Sequence, residues 1–125
     1  MISIICPCYN SAETIKRVFD SIFSQKNVRS KIEVIFIDDG SIDNTIDLIN
    51  SGINRLHSKG IAAYLYASPH KGPGAARNIG IKKSIYEYIS FIDSDDIWHE
   101  TKISVCEEAI LANPESNIFI HDETY

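Results

Sequence analysis

Short apolar runs alternate regularly along this sequence with longer stretches of helical periodicity. The apolar runs read as buried β-strands, because they are nearly continuous rather than alternating with polar residues. Strands that alternate with helices of about 10 to 15 residues form βαβ units. We therefore predict an α/β fold with an open, mainly parallel sheet and helices on both faces. The predicted strands cover residues 2–6, 32–37, 61–67, 86–92 and 117–121.

Helices are expected in the stretches between these strands. The first is expected to begin at a cap formed by Asn10 or Ser11, and the second near Asp43. Gly52 is expected to weaken the middle of the second helix, since glycine costs about 1 kcal/mol relative to alanine there. Pro73 suits the first turn of the third helix. The fourth helix is expected to bury an apolar face formed by Ile103, Cys106, Ile110 and Leu111.

Composition excludes several classes of protein. A length of 125 residues predicts one domain, and a formal charge of −5 disfavours a nucleic-acid-binding face. No apolar run is long enough to predict a transmembrane segment in this chain. The three cysteines fit reduced thiols in the cytoplasm, with Cys6 and Cys8 as packing residues. We therefore expect a cytoplasmic protein. A location at the inner face of the membrane is compatible with this expectation.

Unusual polar clusters follow four of the predicted strands, at residues 7–10, 38–41, 69–77 and 93–96. The carboxyl ends of parallel strands share one edge of a sheet, where α/β proteins bind ligands. Asp93, Asp95 and Asp96 place three carboxylates within four positions. Such a cluster fits a divalent cation such as Mg²⁺ or Mn²⁺, or else a solvated acidic turn. No glycine-rich phosphate-binding motif is present in the sequence.

Four segments of the sequence carry a resemblance to a known family. They are I-I-C-P-C-Y-N, E-V-I-F-I-D-D-G-S-I-D-N-T, G-P-G-A-A-R-N-I-G and Y-I-S-F-I-D-S-D-D, in that order. Together they resemble the family 2 inverting glycosyltransferases, which have the GT-A fold. The resemblance implies that residues 1–125 form a single nucleotide-sugar-binding domain, the N-terminal part of a longer enzyme.

The resemblance also implies how the nucleoside of the donor is held. It places Pro7 and Tyr9 against the base, with the Tyr9 ring stacked on it. Asp39 would accept a hydrogen bond from the base, whereas Asp38 is expected to hold the turn. Arg77 would lie near the base and the diphosphate.

The metal site follows from the same resemblance. Asp95 would bind Mn²⁺ or Mg²⁺ directly and bridge it to the diphosphate. Asp93 would face the ribose and the water around the metal, and Ser94 belongs to the same donor-binding group. His70 is expected near this site, although a structural role is favoured for it.

The implied activity is transfer of a sugar, with inversion, from a nucleotide-diphosphate sugar to a saccharide or glycolipid acceptor. UDP is the carrier that the family uses most often, and polysaccharide biosynthesis is the implied context. The general base of the family lies in a later motif, expected beyond Tyr125. We therefore expect these residues alone to bind nucleotide weakly and to transfer sugar poorly.

Two alternatives remain at this point. One is a nucleotide-sugar-binding module that does not catalyse transfer. The other is a Mg²⁺-dependent phosphatase of the haloacid dehalogenase type, in which a D-x-D motif follows an apolar strand and its first aspartate is the nucleophile. That motif normally follows the first strand, whereas here it follows the fourth predicted strand.

Overall fold

The computed structural model describes residues 1–120, in which strands and helices alternate along the chain. No helix among these residues has both the length and the apolar character needed to cross a membrane. The elements are β1 (Ile2–Cys8), α1 (Ile15–Phe23), β2 (Ile32–Asp38), α2 (Thr45–Ser58), β3 (Ala62–Ala67), α3 (Pro73–Lys83), β4 (Tyr88–Phe91) and α4 (Lys102–Ala112).

The strands form one parallel sheet in the order β3-β2-β1-β4. The chain therefore moves outward from β1 to β3 and then returns to place β4 on the other side of β1. Ile5 of β1 pairs with Phe91 of β4, and Cys8 of β1 pairs with Asp38 of β2. The point at which the strand order reverses thus lies between β1 and β4, where open α/β sheets form a crevice.

Helices cover both faces of the sheet, as predicted. One face carries Ile4 and Phe36, which belong to a core cluster with residues of α1 and α2 and with Ile103 of α4. On the other face, Ile35 and Ile37 pack against Ala76 of α3. Successive residues of a strand point to opposite faces, so runs buried throughout form two cores. The predicted fold class is confirmed.

The strand boundaries differ from the prediction at β1, at β4 and at the predicted fifth strand, and by one residue each at β2 and β3. β1 continues through Pro7 to Cys8. Proline has no N–H to donate, but the Pro7 nitrogen faces β4, whose last residue pairs with Ile5, so no hydrogen bond of the sheet is lost at Pro7. β4 covers only Tyr88–Phe91 rather than residues 86–92. The fifth strand was wrong for residues 117–120, which are not in a strand, and His121 lies outside the described residues.

The observed helix starts lie close to the predicted ones, although α1 has no side-chain cap. α1 begins at Ile15, where the Ser11 carbonyl accepts bonds from the amides of Thr14 and Ile15. α2 begins at Thr45, close to the predicted start near Asp43, and the Thr45 amide donates to Asp43 Oδ1 at 3.0 Å.

The predicted apolar face of α4 is confirmed in part: Ile103 is buried and Cys106 and Ile110 are half-buried, whereas Leu111 is 73% exposed. The other buried residue of α4 is Glu107.

Gly52 has a packing role that the sequence did not reveal. A Cβ atom at this position would lie 2.4 Å from a ring carbon of Phe19 in α1. Glycine is therefore needed at this position for α1 and α2 to pack closely, although it lowers the helix propensity of α2. Pro73 is in the first turn of α3, as predicted.

Candidate nucleotide and metal site

The predicted donor and metal residues line a single groove at the carboxyl edge of the sheet, with a volume of about 510 Å³. That volume lies within the usual range for small-molecule sites. The sequence placed these residues in separate loops, and the reversal of strand order brings the loops together. The groove is lined by Pro7, Cys8, Tyr9, Asn10, Ser11, Thr14, Asp39, His70, Pro73, Arg77, Asp93, Ser94 and Asp95.

The loop after β1 is fixed by contacts to two other loops. Asn10 has a positive φ of 46°, and its amide donates to the Ser41 hydroxyl at 2.8 Å. The Ser11 amide donates to the Thr45 hydroxyl at 2.8 Å. The Ser11 hydroxyl is hydrogen-bonded to that of Ser94 at 2.7 Å. The loop that carries Tyr9 is thereby tied to the start of α2 and to the aspartate cluster.

The two aspartates after β2 have different partners. Asp38 accepts a bond from the Ser41 amide at 2.9 Å, so it holds the turn. Asp39 accepts bonds from the amides of Lys71 at 2.8 Å and Gly72 at 3.0 Å. Asp39 is therefore engaged by the loop between β3 and α3 rather than directed freely into the groove.

These contacts also set the charge of Asp39. Burial raises the pKa of this carboxyl group, but the amides of Lys71 and Gly72 and the nearby His70 ring lower it by more in total. The pKa of Asp39 consequently lies below its ordinary value of 3.8. The carboxylate is ionised at neutral pH and acts only as an acceptor.

His70 contacts both of the residues predicted to hold the base. Its ring stacks on Tyr9 with the centroids 4.1 Å apart, and its Nδ1 lies 2.9 Å from Asp39 Oδ2. The sequence located His70 in a loop near the site but favoured a structural role for it. Because Tyr9, Asp39 and His70 lie in three different loops, no local signal could have revealed this contact.

The acidic cluster has the chemistry of a divalent-cation site. Asp93, Asp95 and Asp96 are exposed, and each offers a carboxylate oxygen within 4.8 Å of the others. Arg77 Nη2 lies 2.9 Å from Asp93 Oδ1 and compensates part of the negative charge. Carboxylate oxygens are the ligands that Mg²⁺ and Mn²⁺ prefer. The residues present thus fit such a cation, and Asp96 joins the two aspartates that were predicted.

Cys6 and Cys8 are packing residues, as the sequence predicted. Both are buried, and their sulfur atoms are 3.7 Å apart. The hydrogen-bond contact with Cys8, followed by burial, raises the pKa of the Cys6 thiol well above its ordinary value. The Cys6 thiol therefore stays protonated and forms part of the core beneath the groove.

Comparisons with known proteins agree on one family. The family model described as glycosyl transferase family 2 matches residues 3–121. The UDP-Glc:alpha-D-GlcNAc-diphosphoundecaprenol beta-1,3-glucosyltransferase WfaP of Escherichia coli is 38% identical over 104 residues, which cover 83% of this chain and 39% of that protein.

Solved structures share the fold. TarS of S. aureus, residues 1–349 in complex with UDP-GlcNAc, matches with a TM-score of 0.79 and 26% identity over 90% of this chain and 32% of TarS. The mannosyltransferase PcManGT from Pyrobaculum calidifontis, in complex with GDP-Man and Mn²⁺, matches with a TM-score of 0.65 and 28% identity. That match covers 78% of this chain and 28% of PcManGT.

The chain corresponds to only part of these proteins. It spans from 15% to 39% of the length of the curated relatives it matches. The family match at residues 3–121 includes all four loops that form the groove.

Proposed function

This chain belongs to glycosyl transferase family 2, and on that basis we propose that it is the nucleotide-sugar-binding domain of a larger, metal-dependent, inverting glycosyltransferase. The observation that carries the proposal is that residues from four separate loops line one groove of about 510 Å³. Stacking, hydrogen-bonding and cation-binding groups are therefore available to one extended ligand. A nucleotide-diphosphate sugar has parts that match each of these groups.

The base is assigned to the end of the groove formed by Pro7, Tyr9 and Asp39. An exposed Tyr9 ring can stack on a base, since every base has a flat π-face. Asp39 is an ionised acceptor and suits an N–H group on the edge of a base. UDP is the proposed carrier, supported by the complex of TarS with UDP-GlcNAc.

The diphosphate is assigned to the other end, near the aspartate cluster. Asp95 and Asp93 would hold Mn²⁺ or Mg²⁺, with Ser94 between them and Asp96 close enough to contribute. A cation in this position supplies positive charge that stabilises the diphosphate as it departs. Arg77 provides a guanidinium beside Asp93 for the same anion. The complex of PcManGT with Mn²⁺ supports this assignment.

In the proposed mechanism, the site binds the negatively charged transition state more tightly than the ground state. Breaking the bond between sugar and phosphate increases the negative charge on the diphosphate, so donors aimed at it favour the transition state over the ground state. Inversion also requires a base that takes the proton from the acceptor hydroxyl. We assign no residue among 1–120 to that step. A saccharide or glycolipid acceptor is proposed, supported by the name of the E. coli relative.

A binding panel tests the proposal. UDP, GDP, dTDP and CMP are each added with and without Mn²⁺, and the thermal unfolding of the protein is followed. A ligand at a hundred times its Kd stabilises a protein by about 2.7 kcal/mol. We expect UDP with Mn²⁺ to give the largest shift. In the Asp95→Asn variant we expect the part of the shift that depends on Mn²⁺ to disappear.

Glu115→Gln is the matched control, because it removes a carboxylate from an exposed position after α4. It should leave the UDP shift unchanged. The absence of a shift with every nucleotide would overturn the assignment of the groove. Full Mn²⁺ dependence in Asp95→Asn would overturn the cation site. Transfer itself is tested with the full-length protein, where saturable UDP binding without turnover would favour a non-catalytic module.

A further inference from the structure

His70 makes the two kinds of contact that the proposed function assigns to the nucleobase. Its ring stacks on Tyr9 with an interplanar angle of 26°. Its Nδ1 lies 2.9 Å from Asp39 Oδ2 and 3.1 Å from the Asp39 carbonyl oxygen. Both of these oxygens are acceptors, so Nδ1 carries the hydrogen. A planar ring that stacks on Tyr9 and donates an N–H to Asp39 has the chemistry expected of a bound base.

The backbone of the loop around His70 is held independently of its ring. The amides of Lys71 and Gly72 donate to the Asp39 carboxylate. Glycine at position 40 lets this loop pack closely against the turn after β2, because a Cβ there would lie 2.9 Å from the backbone nitrogen of His70. The His70 side chain, in contrast, is 55% exposed. The ring can therefore change rotamer and leave the groove while the loop keeps its place.

We propose that His70 is a built-in competitor of the nucleobase, which occupies Tyr9 and Asp39 and is displaced when the nucleotide binds. The inference rests on the proposed function, since it takes Tyr9 and Asp39 as the base site. A protein whose binding-competent form is only a fraction of the population has its affinity lowered by that fraction. His70 thus weakens nucleotide binding and sets its affinity.

The direction of the mutational effect distinguishes this role from direct contact with ligand. In the His70→Ala variant the base meets no competing ring, so we expect UDP in the presence of Mn²⁺ to bind about 5- to 10-fold more tightly. His57→Ala is the control, because it removes an imidazole from an exposed position in α2. It should leave the affinity unchanged. Isothermal titration calorimetry measures both.

A second measurement follows the ring in the wild-type protein and needs no variant. Protons that lie over the face of an aromatic ring are shifted upfield in NMR spectra, so we expect this shift for the carbon-bound protons of the His70 imidazole stacked on Tyr9. We expect titration with UDP and Mg²⁺, which is diamagnetic and leaves nearby resonances sharp, to move these resonances downfield toward the values of an exposed histidine. His57 again serves as the reference.

These measurements distinguish failure of the competitor role of His70 from failure of the nucleotide site. Equal or weaker binding of UDP by His70→Ala, or His70 resonances that stay upfield at saturation, would overturn the competitor role while leaving the nucleotide site intact. If neither the wild-type protein nor His70→Ala binds any nucleotide diphosphate, the proposed function and this inference both fall.

Discussion

The side-chain hydroxyls of Ser11 and Ser94 are hydrogen-bonded at 2.7 Å, although 83 positions separate the two residues in the sequence. Ser11 lies two residues after Tyr9, and Ser94 lies between Asp93 and Asp95. This bond connects the loop assigned to the base with the loop assigned to the metal. These two loops are therefore physically linked.

Replacing Ser11 with alanine removes its hydrogen bond to Ser94 and should weaken the connection between the two loops. Ser11 is buried, and its hydroxyl also contacts backbone atoms of Tyr9. We expect Ser11→Ala to lose about 1 to 2 kcal/mol of unfolding free energy, since a buried partner of several hydrogen bonds is removed. We also expect Mn²⁺ to increase the UDP affinity by a smaller factor than in the wild type. Urea unfolding and calorimetry measure these effects.

Ser58→Ala provides the comparison for Ser11, because the Ser58 hydroxyl bonds to the Arg55 carbonyl at an exposed position of α2. Its unfolding free energy should change by less than about 0.5 kcal/mol. An unchanged effect of Mn²⁺ in Ser11→Ala would show that the serine contact does not couple the two loops.

Gly52→Ala should destabilise the protein even though alanine favours helices. The gain in helix propensity is at most about 1 kcal/mol, whereas overpacking costs about 1 to 3 kcal/mol. The added Cβ would lie 2.4 Å from the Phe19 ring. We therefore expect a net loss of unfolding free energy, measured by urea denaturation.

Gly74→Ala is the matched substitution in a second helix. Among residues 1–120, no heavy atom other than those of the adjacent residues and the nearby α3 backbone lies within 4 Å of a Cβ at Gly74, and this glycine has no positive φ. Its expected effect on unfolding free energy is neutral or stabilising by up to about 1 kcal/mol. Equal changes in unfolding free energy for Gly52→Ala and Gly74→Ala would contradict the close contact between α1 and α2.

Asp39 should make part of the stability depend on pH. The pKa of this group in the folded protein lies below the ordinary value of 3.8, so the unfolded state binds more protons near that pH. The contribution is complete above about pH 5, decreases as the pH falls through 3.8 and is lost once the pH falls below the folded pKa. Urea midpoints between pH 3 and 7 measure this dependence.

In Asp39→Asn the dependence on pH should be flatter, and the variant should be less stable at pH 7. Its amide group cannot accept all the bonds now made by Lys71, Gly72 and His70. Glu115→Gln controls for the loss of one negative charge at an exposed position. A slope in Asp39→Asn equal to that of the wild type would assign the acid sensitivity to other groups.

Arg77→Gln should separate ligand binding from stability. The ion pair of Arg77 with Asp93 is exposed on both sides, and such pairs contribute about 0 to 1 kcal/mol. We therefore expect a small change in unfolding free energy but at least about a tenfold loss of UDP affinity, because a charge-assisted donor to the diphosphate is removed.

Lys16→Gln is the comparison for Arg77, since Lys16 forms an exposed ion pair with Asp20 within α1. It should change neither quantity appreciably. A loss of UDP affinity in Lys16→Gln equal to that in Arg77→Gln would indicate a general effect of net charge rather than a local contact.

The fold class and the set of loops that form the groove could be predicted from the amino-acid sequence. Apolar runs alternating with helical periodicity predict a parallel sheet, and in such a sheet the carboxyl ends of the strands meet at one edge. Pro7, Tyr9, Asp39, Arg77 and Asp93 could all be placed at that edge from their positions after strands or at a helix start. The resemblance to known glycosyltransferases added their expected roles.

The contacts between these loops became visible only in the folded structure. The order β3-β2-β1-β4 places β4 beside β1 and thus brings Ser94 to Ser11. The stacking of His70 on Tyr9 and the fit of Gly52 against Phe19 are likewise contacts between distant segments. Periodicity reports only which face of an element is buried. Partners across segments depend on strand order and on how closely helices approach, and one sequence carries no local signal for either.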